Sequence, residues 1–364
     1  MKIGIIGTRG IPNRYGGFEQ LAELLSAGLF QNGHEVIVYN SHRHPYRQKS
    51  LKGVEIVHVH DPEYWMGTVG QFFYDLNCLR DAGKRNFDVL LFLGYTSSSV
   101  WRRWFPKKAV IISNMDGLEW RRSKYSKPVR KFLQYAEKWA VRYSDFLIAD
   151  SQVIQAYLKN KYNANSQFIA YGAETEINAD PKLLAAYNVE VENYFMLMAR
   201  MEPENNIEMI LEGFHNSGSD KLFLVVGDTG NSFGRSMLKK FMGDKRIIFA
   251  GAIYDRAVTH ALRRFCSMYF HGHSAGGTNP SLLEAMGDKA LIAAHDNEFN
   301  RAVINEDGYY FRSAEEVRQL TASVNPQGDR VENNLAKIST QYNWPAIIQQ
   351  YDAFITHCYT QLKK

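Results

Sequence analysis

The residues best equipped for chemistry run from His271 to Met286: His-Gly-His-Ser-Ala-Gly-Gly-Thr-Asn-Pro-Ser-Leu-Leu-Glu-Ala-Met. Thr278 or Asn279 can cap a helix whose first turn holds Pro280. Gly276 and Gly277 leave the backbone N–H groups of that helix tip open to an anion. Glu284 follows one turn inside the helix. A carboxylate beside a phosphate is repelled unless it binds something else, and sugar hydroxyls are good donors to it. Phosphate at the tip and ribose at Glu284 make a coherent nucleotide site. The alternative for Glu284 is an ordinary helix carboxylate.

Three other segments have related chemistry. Gly7-Thr8-Arg9-Gly10-Ile11-Pro12-Asn13-Arg14-Tyr15-Gly16-Gly17-Phe18-Glu19 follows a strand-like run and opens a helix, so its glycines could let backbone N–H groups approach a phosphate; a plain glycine-rich turn is the alternative. Its spacing is not Gly-x-Gly-x-x-Gly, and the second strand ends Tyr39-Asn40 without the acid an NAD ribose needs, which argues against a dehydrogenase. In Ala199-Arg200-Met201-Glu202-Pro203-Glu204-Asn205, Arg200 at a strand end can hold a diphosphate through paired charge-assisted bonds, or can pair with Glu202 or Glu204. In Ser113-Asn114-Met115-Asp116-Gly117, Asp116 is a candidate to meet a reacting sugar or acceptor hydroxyl, or a turn residue paired with Arg121 or Arg122. His42/His44, His58/His60 and His271/His273 raise the question of zinc, but no third ligand is evident and no Asp-x-Asp occurs. No metal and no cofactor is expected. Cations and helix dipoles would then have to stabilise a leaving group.

These segments need strands to present them. Expected strands are Lys2–Ile6, Glu35–Tyr39, Val54–His58, Val89–Leu93, Val110–Ser113, Phe146–Ala149 and Gln167–Ala170, then Tyr194–Ala199, Leu222–Val226, Arg246–Ala250, Met268–His271 and Ala290–Ala294. Helical patterns at Phe18–Asn32, Val129–Tyr143, Ile207–Phe214, Tyr254–Phe265 and Pro280–Met286 alternate with them. Alternation of this kind predicts an α/β fold of two doubly wound, Rossmann-like parallel sheets. The expected domains are 1–175 and 190–340, separated within the polar stretch 172–193, with a final helix in 341–364. Ligands in such folds bind at the carboxyl ends of the strands, so an interdomain cleft is the expected site.

The 364 residues suffice for two such cores. The longest apolar runs, Val89–Leu93 and Leu222–Val226, are far short of the roughly 20 residues of a membrane span. Three widely spaced cysteines (Cys78, Cys266, Cys358) argue against a disulfide framework, and a chain opening directly in a strand-like run suggests a cytoplasmic setting. Net charge is +5, but residues 101–131 carry ten Lys/Arg against Asp116 and Glu119, a local +8 that leaves −3 elsewhere. With Trp101, Trp104, Phe105, Trp120 and Tyr125 interleaved, this segment suits an anionic membrane surface, or is a solvated face with buried Trp anchors. No nucleic-acid module is recognised.

At Gly7–Glu19, Asn114–Trp120, Ala199–Asn206 and His273–Met286 the chain resembles retaining GT-B glycosyltransferases of family 4, within them the bacterial rhamnosyltransferase-like subgroup of capsule and surface-polysaccharide synthesis. The resemblance covers nearly the whole chain. It implies an N-terminal acceptor domain, a C-terminal nucleotide-sugar domain, and a last helix crossing back to the first. It implies that Gly17 and Arg200 contact the diphosphate and Glu284 the ribose, with Gly16, Asn205, Gly276, Gly277, Thr278 and Asn279 around the donor and Asp116 near the acceptor. A dTDP- or UDP-sugar donor and a saccharide or polyprenyl-diphosphate-linked acceptor are implied partners. Three positions depart from the wider pattern: Asn205 stands for a Lys, Gly276 for a Glu, and Asp116 for a His. Arg14 or Arg235 could replace the lost cation. A GT-B epimerase and a non-catalytic nucleotide-sugar-binding subunit are the alternatives.

Overall fold

The computed structural model describes residues 1–14, 16–122, 125–175, 178–323 and 328–363. Tyr15 of the glycine-rich motif, Ser123 and Lys124 of the basic segment and Glu176 and Ile177 of the polar stretch lie outside them. The chain divides into two compact units. The first comprises 1–121, 125–171 and 344–364; the second comprises 122–124 and 172–343.

The first unit is built on strands β1 (Lys2–Ile6), β2 (Glu35–Ser41), β3 (Ser50–Leu51), β4 (Val54–Val59), β5 (Val89–Leu93), β6 (Val110–Asn114), β7 (Phe146–Ala149) and β8 (Gln167–Phe168). Their order is β3-β4-β2-β1-β5-β6-β7-β8, parallel throughout except for the β3–β4 hairpin. Every residue of β5 and β6 is buried, as a parallel strand covered on both faces requires. Helices α1 (Gly17–Gln31), α2 (Glu63–Met66), α3 (Thr68–Ala82), α4 (Lys127–Tyr143) and α5 (Gln152–Tyr162) belong to this unit, with a 3₁₀ segment, Ser98–Trp104, between β5 and β6. Tyr74, Cys78 and Leu79 of α3 share a core with Ile6, Tyr39 and Phe92 of the sheet.

The second unit holds β9 (Tyr194–Met198), β10 (Leu222–Val226), β11 (Ile247–Gly251), β12 (Met268–His271), β13 (Ile292–His295) and β14 (Tyr309–Phe311), all parallel, in the order β11-β10-β9-β12-β13-β14. Its helices are α6 (Ile207–His215), α7 (Ser232–Phe241), α8 (Arg256–Arg264), α9 (Pro280–Gly287), α10 (Glu298–Ile304), α11 (Ala314–Ser323) and α12 (Arg330–Thr340). Phe195, Phe214, Phe223 and Phe270 meet with ring centroids 5.0 to 6.4 Å apart, fixing β9 against β10, β12 and α6.

The last helix, α13 (Trp344–Lys363), packs in the first unit against α1 and β6. Asn114 donates to the Tyr351 hydroxyl at 3.0 Å, and Asp352 accepts from Asn32 at 2.7 Å. The division falls at Tyr171/Gly172, at the start of the polar stretch, which is folded into the second unit rather than serving as a linker. Leu184 and Val189 are buried there, and the 3₁₀ turn Pro181–Tyr187 packs on α8. No described helix is long and apolar enough to cross a membrane.

Candidate functional site

Numbered within the second unit, the strand order is 3-2-1-4-5-6. The connections leaving β9 and β12 therefore run to opposite sides, and their carboxyl ends open a crevice at the point of reversal. The Arg200 segment follows β9, and the His273–Asn279 segment follows β12. Both motifs reach the one place in this sheet where topology leaves room for a ligand.

The two loops are tied to each other. Asn205 Nδ2 donates to the Arg200 carbonyl at 2.7 Å, which turns its Oδ1 toward His273 Nδ1, also at 2.7 Å. Asn206 donates to the Gly272 carbonyl, and the Ser274 N–H and hydroxyl both donate to the Glu204 carbonyl. A Cβ on Gly272 would collide with the Asn205 carbonyl, so only glycine permits this approach. Asn205, standing where the wider pattern has a Lys, is thus a buried tie between loops.

Helix α9 opens in the crevice. Asn279 is its cap, accepting from the Ser281 N–H at 2.9 Å, and Pro280 begins the first turn. The first turn holds no acid, so the tip keeps its positive end for an anion. Gly276, Gly277 and Thr278 are buried just before it. The position a Cβ would take on Gly276 lies 3.1 Å from His273 Nε2. Arg200 is exposed and makes no ion pair among the described residues; Arg122 Nη1 approaches Glu204 instead, at 3.5 Å.

Glu284 is held from behind. Wholly buried Arg263 of α8 reaches its carboxylate at 3.2 Å and that of Asp288 at 2.6 Å, while His260 bonds Asp288 from the other side. Arg263 sits on the buried stripe of α8, an unusual place for a charge, and nothing in the sequence pairs it with Asp288. Burial, and then His295, pushes the His271 imidazole down to about 3. His273 is also held well below the ordinary histidine range, by burial and then by His271. Among the described residues no group of three His, Cys, Asp or Glu is arranged to hold a metal ion.

Gly16, Gly17 and Asp116 belong to the first unit. There the reversal falls between β1 and β5, and the glycine-rich loop follows β1. Gly7 has φ +102°, and a Cβ on it would collide with the Leu93 carbonyl. Asn40 grips the loop, accepting from the Ile11 N–H at 3.0 Å and donating to the Ile11 carbonyl at 2.8 Å. Gly16 caps α1, but the first turn already carries buried Glu19, which accepts from the Arg9 N–H at 3.0 Å. The Arg9 guanidinium is committed to Glu63. Asp116 lies beyond the end of β6, two strands from β1, where Gly117 accepts from the Tyr95 hydroxyl at 3.2 Å. The structure therefore gathers Arg200, Asn205, Gly276, Gly277, Thr278, Asn279 and Glu284 at one end of one sheet, and places Gly16–Gly17 and Asp116 at separate strand ends of the other.

Comparison with known proteins fits this arrangement. Sucrose-phosphate synthase from Thermosynechococcus elongatus is similar over 99% of both chains, with a TM-score of 0.81 and 15% identity. HepE of Anabaena, in complex with UDP-glucose, is similar over 98% of this chain and 99% of its own, at TM-score 0.72 and 14% identity. The catalytic domain of starch synthase IV from Arabidopsis thaliana, bound to ADP and acarbose, matches over 99% of both chains at TM-score 0.70 and 10% identity. The fold is thus the GT-B fold of glycosyltransferases, two parallel-sheet α/β domains in one chain. A family profile described as a domain of unknown function (DUF1972) matches residues 1–174. No curated protein matches the chain.

Proposed function

We propose that the protein is a glycosyltransferase that takes a hexosyl unit, in our reading rhamnosyl, from a dTDP- or UDP-sugar and transfers it with retention to a saccharide or lipid-linked acceptor in surface-polysaccharide synthesis. The observation that carries this reading is the second-unit crevice: an acid-free helix tip, an uncommitted Arg200 and a pre-oriented Glu284 converge there. The diphosphate takes the α9 tip, with Gly277, Thr278 and Asn279, and the Arg200 guanidinium. The ribose hydroxyls donate to Glu284. HepE's complex with UDP-glucose supports a UDP-type donor.

In the reaction, the acceptor oxygen bonds to the anomeric carbon as the bond from that carbon to the phosphate oxygen breaks. The departing phosphate oxygen takes the acceptor proton. The protein's work is to orient the reactants and spread the charge on the diphosphate, through Arg200 and the backbone amides of the helix tip. Asp116 is the acceptor-side group, and no metal takes part.

Purified protein with a panel of UDP- and dTDP-hexoses and lipid-linked saccharides should release nucleotide only when acceptor is present. The rate should be unchanged by a chelator, and the product should keep the donor's anomeric configuration by NMR. Turnover without acceptor would make it an epimerase. Nucleotide-sugar binding without turnover would make it a binding subunit.

A further inference from the structure

The first unit carries a second chemical surface that sugar transfer does not use. Between residues 101 and 143 the exposed charged side chains among the described residues are all cationic. Lys127, Lys131, Lys138 and Arg142 project from α4, and Arg103, Lys107 and Lys108 from the 3₁₀ segment and its exit. The one acid of α4, Glu137, is turned inward and buried, where it accepts from Trp120, Tyr157, Tyr162 and Lys161. Its charge is spent inside, so the outer face of α4 stays uncompensated.

Large aromatics stand among these cations. Trp104 is 48% exposed, with Phe73, Tyr135 and Tyr143 also exposed, and on α2, which packs on α3, Trp65 is 65% exposed. Ring contacts join α3 to the 3₁₀ segment and to α4: Phe73 meets Trp101 at 6.3 Å, and Phe72 of α3 meets Phe132 of α4 at 5.7 Å. The Arg80 guanidinium lies 5.1 Å over Trp104, and Arg102 lies 4.5 Å over Trp139. Helices α2, α3 and α4 and the 3₁₀ segment thus present a single basic and aromatic ridge.

We infer that this ridge docks the protein on an anionic lipid bilayer. Tryptophan and tyrosine prefer the headgroup level, where the ring is apolar and its polar edge stays wet, and lysine and arginine answer the negative surface potential. A second copy of the chain is the wrong partner, because two such faces would set like charges against each other. Nucleic acid would match the charge but would not need Trp65 and Trp104 at the outer edge.

The test uses the whole protein and does not depend on its catalytic reading. Vesicles of phosphatidylcholine with 30% phosphatidylglycerol should sediment it at 0.1 M NaCl, and vesicles of phosphatidylcholine alone should not. Binding should fall off at 0.5 M NaCl, where charge is screened. The triple variant Lys131→Gln/Lys138→Gln/Arg142→Gln should bind about 100-fold more weakly, each lost cation contributing roughly a fivefold step. Trp65→Ser/Trp104→Ser should also lower vesicle binding, with both variants keeping the parent's thermal melt. Equal binding to neutral vesicles, indifference to the triple variant, or tighter binding to duplex DNA that ignores the tryptophan changes would each overturn the assignment.

Discussion

The two units solve the same close-packing problem with opposite strands. In the first, a glycine after β1, Gly7, yields to the Leu93 carbonyl at the end of β5. In the second, a glycine after the fourth strand, Gly272, yields to the Asn205 carbonyl of the loop after the first. The functional groups differ more than the geometry. The loop after the first strand of each unit carries arginine: Arg9 is locked to Glu63 and Arg14 is exposed, while Arg200 is exposed and makes no ion pair among the described residues. The loop after β1 opens α1, which has its own carboxylate in the first turn, and the loop after β12 opens α9, which has none. Topology provides two crevices of the same kind, and the acid-free tip of α9 makes the second the better prepared for a diphosphate.

The largest test of that contrast is the support under Glu284. Arg263→Met would leave Asp288 buried without its main partner, at a cost of about 3–5 kcal/mol. Urea unfolding should show the loss. Hydrogen exchange should place it in β12, α8 and α9, leaving β1–β5 protected; uniform exchange across both units would contradict a local role.

A second test uses acid, because the units carry buried groups of opposite sense. His271 binds its proton far less readily when folded, about 3 against 6.5, so the second unit loses stability as pH falls below 6.5. Asp75 in the first unit, pushed up to about 7 by burial against the pull of the Ser97 hydroxyl, binds its proton more readily when folded. The first unit therefore loses stability as pH rises from 3.8 toward 7. Between pH 4 and 6.5 each effect amounts to about 3 kcal/mol. His271→Asn should reduce the acid sensitivity of the second unit, to which His273 still contributes, and Asp75→Asn should reduce the loss of the first unit at rising pH, read from unit-resolved exchange.

A smaller change should separate the arginines. Arg200→Ala removes charge-assisted bonds worth about 1.5–3 kcal/mol and should weaken nucleoside diphosphate binding by about 10- to 100-fold. Arg9→Ala should leave that affinity alone and lower only the melting temperature. Equal losses in calorimetric titration would erase the distinction between the two crevices.

The central parallel strands were legible because buried parallel strands are short apolar runs, and Val89–Leu93 and Leu222–Val226 stand out against polar flanks. The β3–β4 hairpin was not, since its signal is a two-residue Lys52-Gly53 turn with positive φ at both positions. Helix α3 was missed because Asp75 interrupts its apolar stripe, and β14 because three residues make no pattern. At the site, glycine, proline and cap residues make the helix tip legible in the sequence. Asn205 looked like a missing cation, and only its bonds to Arg200 and His273 give it a role. Arg263, His260 and Asp288 were invisible as a group because the contacts that unite them span two helices.

Helix α13 has a consequence in time. It closes over Gly28 and Asn114 of a unit whose other strands and helices end at Tyr171. A ribosome adds about 5–20 residues per second, so the first unit waits roughly 10 to 35 s for the helix that completes it. All of the second unit emerges in that interval. Through that interval the nascent first unit has its α1 face uncovered.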